Sequence, residues 1–177
     1  MNWYILFTPR GWAAILGEKR TIINSVLPTP SPLTALCQYI KQTGFDSRFI
    51  TLYDYSIPFV NKFRSYYEGS IITDWDVELK LDGFSQFTRK VLEFVYTIPY
   101  GETRTYAQVA RVIGNPKAAR AVGQVMKHNP LPLIIPCHRV VASAGPGGFN
   151  APGGVETKLK MLQWEKETLL KQNHYIP

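Results

Sequence analysis

Three prolines within seven residues constrain this chain more than any other feature. Pro130, Pro132 and Pro136 interrupt the apolar segment NPLPLIIPCHRVV, residues 129–141. Proline fixes φ and removes a backbone hydrogen-bond donor, so this density excludes a regular central strand. The segment is therefore predicted to form a rigid, irregular connection that ends at Cys137, which His138 follows directly.

A cysteine beside a histidine suggests nucleophilic chemistry. The thiol is a nucleophile only as thiolate, and a histidine can take its proton directly or through a water. Such a base needs an orienting acid, and Glu165 falls on the apolar face of a predicted C-terminal helix, with Met161 and Leu162. A carboxylate there is costly unless paired, and His138 is the obvious partner. A chance Cys–His neighbour pair and a Glu165 that reaches water remain the alternatives.

The composition allows one large domain or two small ones in 177 residues. Hydrophobic residues make up 45% of the chain and charged residues 19%, which supplies a core and argues against global disorder. The pattern becomes helical near residue 82. We therefore predict a mixed α/β N-terminal domain, 1–82, and a mostly α C-terminal domain, 83–177, with a helix-turn-helix.

Local patterns predict three strands and two helices in the N-terminal domain. WYILF and WAAIL read as strands around the turn TPRG, and WDVELKL alternates as a strand should. Helices are predicted for SPLTALCQYIKQ and for PFVNKFRSYYEG, the second begun by Pro58 and ended by Gly69. In the first helix Leu33, Leu36, Cys37 and Ile40 share one face, so Cys37 is expected in the core.

The chain shows no signal-peptide pattern and no apolar run near the ~20 residues that cross a bilayer. Its two cysteines lie 100 positions apart, which favours a reducing compartment over a disulfide scaffold. A cytoplasmic protein is expected. No zinc site of the usual His/Cys spacing can be built from two such thiols, and no metal is expected.

The segment TRTYAQVARVIGNPKAARAVGQVMKHNP carries the clearest local signal. Thr105 can cap a helix over residues 106–113, which Gly114 would end. Asn115 is predicted to cap the next helix, with Pro116 in its first position. Two helices joined this closely predict a helix-turn-helix.

The second of these helices has two different faces. Ala119, Val122 and Met126 form a narrow stripe for the core. The opposite face carries small or cationic residues: Ala118, Arg120, Ala121, Gly123, Gln124 and Lys127. Such a face can approach a phosphate backbone closely, and a net charge of +7 suits a polyanion. A solvated arginine on an alanine-rich helix is the alternative, and few side chains here could read base edges.

The stretch IPYGETRTYAQVARVIGNPKAARAVGQVMKHNPLPLIIPCHRVV resembles the signature region of the O6-alkylguanine-DNA alkyltransferases, the methylated-DNA–protein-cysteine methyltransferases. The resemblance extends from about Phe87 to Glu165. It implies a ribonuclease H-like N-terminal domain and a winged-helix-like C-terminal domain. It also implies a monomer without cofactor that binds double-stranded DNA through the minor groove. Each molecule would irreversibly take one alkyl group from O6-alkylguanine, with O4-alkylthymine as an open second substrate.

The resemblance also implies residue roles. Cys137 would accept the alkyl group, His138 would take its proton through a water, Glu165 would hold His138, and Asn129 would join the helix-turn-helix to the cysteine segment. Arg120 would enter the base stack while Tyr106 rotates the nucleotide out. The DNA-binding set is Thr88, Tyr106, Asn115, Ala118, Ala119, Arg120, Ala121, Gly123, Lys127 and Ser143. The base pocket would comprise Tyr106, Cys137, Val140 and Phe149, with the carbonyls of Cys137 and Val140 reading the guanine amino group.

The chain departs from the family pattern in places. Ala107 and Phe149 stand where the family often has Gln and Tyr, and the zinc of some members has no evident ligand set here. Three other functions are the alternatives. Cys137 argues against a non-transferring, lesion-flagging relative. Nothing points to the oxyanion hole that a Cys–His hydrolase needs, and a helix-turn-helix regulator would need base-reading side chains and a dimerisation segment.

Overall fold

The computed structural model describes residues 2–18, 20–35, 37, 50–52 and 57–173. The chain divides into two compact units, residues 1–80 and 81–177, and the boundary expected between residues 82 and 83 lies beside this division. The first unit is built on a β-sheet and the second is mainly helical. Within the described residues no helix is long and apolar enough to cross a membrane.

The first unit contains a five-stranded sheet in the order β4-β1-β2-β3-β5. The strands are β1 (Asn2–Thr8), β2 (Gly11–Glu18), β3 (Thr21–Thr29), β4 (Ile50–Leu52) and β5 (Glu78–Leu79). β1, β2 and β3 pair antiparallel, whereas β4 joins β1 and β5 joins β3 in parallel. The predicted strands WYILF and WAAIL are confirmed as β1 and β2.

Both faces of this sheet are covered. Successive side chains of a strand point to opposite faces. Trp3 and Ile5 therefore share one face, where they pack in a buried cluster with Ala35. Tyr4 points to the other face, where its ring meets the Phe59 ring of helix α1 (Pro58–Tyr67) edge to face, with centroids 5.5 Å apart. The helix predicted from Pro58 is thus confirmed, and its covering role explains why β1 is apolar in consecutive positions.

Cys37 is exposed, so the prediction that it fills the core is wrong. The chain is helical at residues 32–35 and 37, but this segment buries Ala35 and leaves Leu33 70% exposed. A small side chain suits the contact because the bulky Trp3 already occupies that face of the sheet. Leu36 and Ile40, the other members of the predicted apolar face, lie outside the residues whose side chains the structure describes.

The strand predicted over WDVELKL is confirmed only at Glu78–Leu79, which form β5. Asp76 adopts a positive φ of 54°, which breaks the extended conformation just before it. Trp75 is buried beside the Phe63 ring of α1, at 6.2 Å between centroids.

The second unit consists of four α-helices, a short parallel strand pair and one 3-10 turn among its described residues. The helices are α2 (Gln86–Tyr96), α3 (Tyr106–Val112), α4 (Ala119–Lys127) and α5 (Gly154–Asn173). β6 (Arg104–Thr105) pairs with β7 (Val140–Val141), and Cys137–Arg139 form the 3-10 turn directly before β7.

The helix-turn-helix is formed by α3 and α4. Thr105 caps α3 in a capping box with Gln108, as the sequence predicted for this cap. Gly114 has φ +79°, as the end of the helix requires.

The predicted start of the second helix is wrong, because α4 begins at Ala119 with Ala118 as its N-cap. The Asn115 side chain donates to the Ile113 carbonyl at 3.1 Å, and the Asn115 carbonyl accepts from the Ala118 amide at 2.9 Å. These bonds make residues 115–118 a turn of their own.

Candidate functional site

The proline-rich connection positions Cys137. The Asn129 side chain stabilises this connection with two hydrogen bonds. It donates to the Ile135 carbonyl at 2.8 Å and accepts from the Leu131 amide at 3.0 Å. Leu133 adopts φ +77°, a region that L-residues rarely occupy, and its side chain is buried. Packing and the Asn129 bonds thus hold an unfavourable backbone in place immediately before the cysteine.

Cys137, His138 and Arg139 form one 3-10 turn whose three side chains are all buried. His138 has no exposed surface, and neither has Glu165, which α5 brings to the same place from 27 residues further along the chain. The Nε2 atom of His138 lies 2.8 Å from Oε1 of Glu165. The pairing expected from the apolar face of the C-terminal helix is therefore present.

Arg139 completes this arrangement and was not anticipated. Its Nε donates to both carboxylate oxygens of Glu165, at 3.2 and 3.0 Å, and its Nη2 donates to Oε1 at 2.9 Å. The Gly101 amide donates to Oε2 at 2.9 Å. A charged residue inside the apolar run IIPCHRVV was the available signal, because a buried charge requires a partner.

Electrostatics decide the protonation of the pair. Burial raises the pKa of Glu165, but the hydrogen bonds and charges of His138 and Arg139 outweigh it and bring the pKa to about 2. Glu165 is thus an anion and can only accept, so Nε2 of His138 carries the proton that is donated to it. Burial lowers the pKa of His138, which makes the ring neutral and leaves Nδ1 unprotonated.

The unprotonated Nδ1 is buried and has no hydrogen-bond partner among the described residues. Of the two imidazole nitrogens of His138, Nδ1 is the one that the bond to Glu165 leaves available as a base. Burial raises the pKa of the Cys137 thiol, whereas the Asn129 side chain and the charge of Lys158 lower it. The resting pair is therefore a thiol and a neutral imidazole, and reaction requires a proton to leave the sulfur.

Lys158 is a second buried cation that the sequence did not reveal. Its Nζ donates to the carbonyls of Val140, at 2.6 Å, and of Gly148, at 3.3 Å. Burial lowers its pKa to about 8, and the negative charge of Cys137 would raise it. No signal separated Lys158 from its neighbours, because α5 carries other charged residues at adjacent positions. The Val140 carbonyl, expected to contact a base, already binds Lys158 with one of its two lone pairs.

A cleft of about 600 Å³ opens over Cys137. It is lined by Thr105, Tyr106, Ala107, Ala119, Arg120, Gly123, Gln124, Met126, Lys127, Cys137, Ala142, Ser143, Gly148, Phe149 and Asn150. The loop after β7 forms one wall, and Gly147 with φ +73° lies against Tyr106. A Cβ at Gly147 would come within 2.8 Å of the Tyr106 ring, so this wall requires glycine.

The outer face of α4 forms the opposite wall. Arg120, Ala121 and Lys127 are exposed and Val122 and Met126 are buried, as predicted for the two faces of this helix. Ala119, which was predicted for the core stripe, is only half-buried and lines the cleft. Arg120 and Lys127 carry positive charge on an otherwise small surface. The cleft thus joins a buried nucleophile to an exposed cationic helix.

The structure gathers most of the predicted site residues but not all. Tyr106, Ala119, Arg120, Gly123, Lys127, Ser143 and Phe149 line the cleft with Cys137. Thr88 lies in the first turn of α2, where its amide donates to the Ser85 cap, and Asn115 lies exposed in the turn before α4. Neither lines the cleft, and the same holds for Ala118, Ala121 and the buried Val140. Among the described residues, no group of three or more His, Cys, Asp and Glu side chains could hold a metal ion.

The comparisons with known proteins agree with this geometry. Residues 86–167 match the family model of the 6-O-methylguanine DNA methyltransferase DNA-binding domain. A methylated-DNA–protein-cysteine methyltransferase of Mycobacterium bovis is 44% identical over 108 residues. That match covers 60% of this chain and 63% of the relative, less than two thirds of its length.

Two crystal structures from Mycobacterium tuberculosis match nearly the whole chain. The O6-methylguanine methyltransferase is 30% identical with a TM-score of 0.73, covering 94% of this chain and 93% of that one. OGT in complex with DNA is 28% identical with a TM-score of 0.74, covering 95% and 94%. The buried Cys–His–Glu arrangement and these matches together lead to one conclusion: the chain belongs to the O6-methylguanine-DNA methyltransferase family, also named the methylated-DNA–protein-cysteine methyltransferases.

Proposed function

We propose that this protein repairs DNA by direct reversal of damage, moving an alkyl group from O6 of guanine onto its own Cys137. One observation carries the proposal: Cys137 lies at the cleft beside a neutral His138 whose Nδ1 is unprotonated and whose Nε2 is bound to ionised Glu165. Family membership supports it, as do curated relatives named for transfer from methylated DNA to a protein cysteine.

The chemistry is a displacement at the alkyl carbon. The Cys137 proton passes to Nδ1 of His138, through a bridging water, and Glu165 stabilises the imidazolium that forms. The sulfur then bonds to the alkyl carbon while the bond from carbon to O6 breaks. Guanine takes up the proton and leaves as the neutral base. The thioether is stable, so each molecule reacts once and the reaction is stoichiometric.

The outer face of α4 is the proposed DNA contact. Its small residues Ala118, Ala119, Ala121 and Gly123 let the helix enter the minor groove of double-stranded DNA closely. Lys127 adds phosphate attraction, with Thr88, Asn115 and Ser143 as further backbone contacts. This binding depends on shape and charge rather than on base edges. The crystal structure of a related OGT with DNA supports such a partner.

Base extrusion gives the buried thiol access to its target. A base within the stack cannot reach Cys137, so Arg120 is proposed to fill the space that the extruded nucleotide leaves. Tyr106 and Phe149 would flank the base, and the carbonyls of Cys137 and Val140 would receive the guanine amino group. The single remaining lone pair on the Val140 carbonyl is sufficient for that contact.

We extend the proposal to finer features that family membership supports. The sheet unit would be ribonuclease H-like and the helical unit winged-helix-like, in a monomer that needs no cofactor. A protein that repairs genomic DNA must work where the DNA is, which in a prokaryote is the cytoplasmic nucleoid.

The test is the fate of the damaged base. Duplex DNA with one O6-methylguanine is incubated with the protein and digested to nucleosides, which are then quantified. We expect O6-methylguanine to be replaced by guanine in an amount equal to the protein added, and Cys137→Ser to convert none. Multiple turnover, or release of a modified base from intact DNA, would contradict the proposal. A duplex with O4-methylthymine tests the second substrate in the same assay.

A further inference from the structure

Arg139 makes more hydrogen bonds to the Glu165 carboxylate than His138 does. Its side chain is 8% exposed, and three hydrogen bonds from Nε and Nη2 reach the Glu165 carboxylate. Nη1 donates to the Ile98 carbonyl at 2.7 Å, and the guanidinium lies 5.4 Å from the centroid of the Tyr100 ring. The guanidinium is thereby fixed on both sides, as a planar, multidentate donor can be.

These bonds determine which lone pairs of Glu165 remain for His138. Oε2 accepts from Gly101 and from Arg139, while Oε1 accepts from Arg139 and from Nε2 of His138. Every donor of this set favours the anion. The carboxylate therefore stays ionised and cannot rotate without losing several bonds.

We propose that Arg139 is a positioning residue that keeps Glu165 ionised and His138 neutral, so that Nδ1 of His138 can receive the thiol proton. This role rests on the proposed function, because it prepares the same sulfur for alkyl transfer. Arg139 acts through Glu165 and His138 and does not itself contact the reacting atoms.

The charges around His138 agree with this role. Burial is the largest cause that lowers the pKa of His138, Glu165 opposes it, and the charges of Arg139 and Lys158 lower it further. Arg139 also lowers the pKa of Glu165. Cys137 and Tyr100 are the other titratable groups that face this cluster. Lys158 differs from Arg139 because its hydrogen bonds go to backbone carbonyls and therefore do not orient the Glu165 carboxylate.

Loss of Arg139 has a specific consequence. Without the guanidinium, both Glu165 and His138 hold protons more tightly, and an extra proton on the pair blocks Nδ1 as an acceptor. The pH below which Cys137 becomes unreactive should then rise. A role limited to packing would change the amount of folded protein or the rate at every pH, without moving that limit.

The experiment measures the rate of Cys137 alkylation by iodoacetamide from pH 5 to pH 9. All proteins carry Cys37→Ser, because Cys37 is exposed and would react as well. The sulfur displaces iodide from the reagent, and the reaction requires no DNA. The role of Arg139 is therefore measured separately from DNA repair. A wild type that fails to repair DNA would refute the proposed function and would leave this measurement unaffected. Arg139→Met is compared with Arg139→Lys and with Arg64→Met, which removes a half-exposed arginine of the first unit.

In Arg139→Met we expect the acid limb of the rate profile to move to higher pH by about one unit or more. Arg139→Lys should restore most of the shift because it keeps the charge, and Arg64→Met should match wild type. An acid limb at the wild-type pH in folded Arg139→Met would overturn the proposal.

A second measurement covers the case in which Arg139→Met does not fold. The imidazole ¹⁵N signals of His138 in the wild type, assigned by their loss in His138→Asn, report which nitrogen is protonated. We expect a protonated Nε2 and an unprotonated Nδ1 at pH 7. A protonated Nδ1 at that pH would overturn the proposal, whatever the variants do.

Discussion

Glu165→Gln is the substitution whose cost the structure specifies best. Gln keeps the size and removes only the charge of a side chain that has no exposed surface. The pKa of Glu165 falls from 4.5 to about 2 in the folded protein. At about 1.4 kcal/mol per pKa unit, ionisation of Glu165 contributes about 3 kcal/mol to stability at neutral pH. Removing one partner of a buried ion pair costs about 3–5 kcal/mol, which is of the same size.

The sign of the pH dependence follows from the depressed pKa. The contribution is fully present above the unfolded pKa of 4.5 and is lost as the pH falls toward about 2. The difference in unfolding free energy between wild type and Glu165→Gln should therefore be about 3 kcal/mol at pH 7 and should shrink below pH 4.5.

The assay must follow the second unit by itself, because two units need not unfold together. Hydrogen exchange in increasing urea, read on peptides from α5, gives the unfolding free energy of that unit. Glu156→Gln is the matched control: the same substitution in the same helix, at an exposed residue paired with Lys160, should leave the unfolding free energy nearly unchanged because solvent screens an exposed ion pair. A loss below about 1 kcal/mol for Glu165→Gln, or a difference that stays constant down to pH 3, would refute the reasoning.

Three further predictions concern the cleft. Arg120→Ala should slow transfer from duplex DNA about tenfold or more yet leave reaction with free O6-benzylguanine near wild type, because the free base needs no extrusion; equal losses in the two single-turnover assays would exclude that role. Lys158→Met should speed hydrogen exchange in residues 142–153, because the bonds to the Val140 and Gly148 carbonyls are lost, whereas Lys160→Met, at an exposed residue, should not. Identical exchange in the two variants would contradict a role of Lys158 in holding this loop. Gly147→Ala should lower Tm and slow transfer more than Gly145→Ala, since both have positive φ but only Gly147 meets Tyr106; equal effects would show that the Tyr106 contact is unimportant.

Helix boundaries set by neighbouring residues could be predicted from the sequence. Thr105, Gly114 and Pro58 act through bonds or dihedrals within one turn, and all three behave as predicted. Asn115 was a reasonable cap by the same rules. It failed because its side chain bonds back to Ile113 and closes a turn instead.

Features that depend on contacts between residues far apart in the chain could not be predicted from the sequence by such local rules. The burial of Ala35 instead of Cys37 is decided by the fit of a helix against Trp3, which periodicity does not encode. Glu165 was found because a carboxylate on an apolar stripe needs a partner, yet the same argument applied to Arg139 and would have linked the two. Lys158 lies in a helix with many charges, so nothing in the pattern marked it as buried.

The central claim is that Cys137 itself keeps the alkyl group. The most direct measurement is the intact mass of the protein after reaction with duplex DNA containing O6-methylguanine, followed by peptide mapping. We expect a gain of one CH2 unit per molecule, located on Cys137, that does not increase with excess DNA and is absent in Cys137→Ser. An unchanged mass while guanine is restored, or a methyl group on the exposed Cys37, would contradict it.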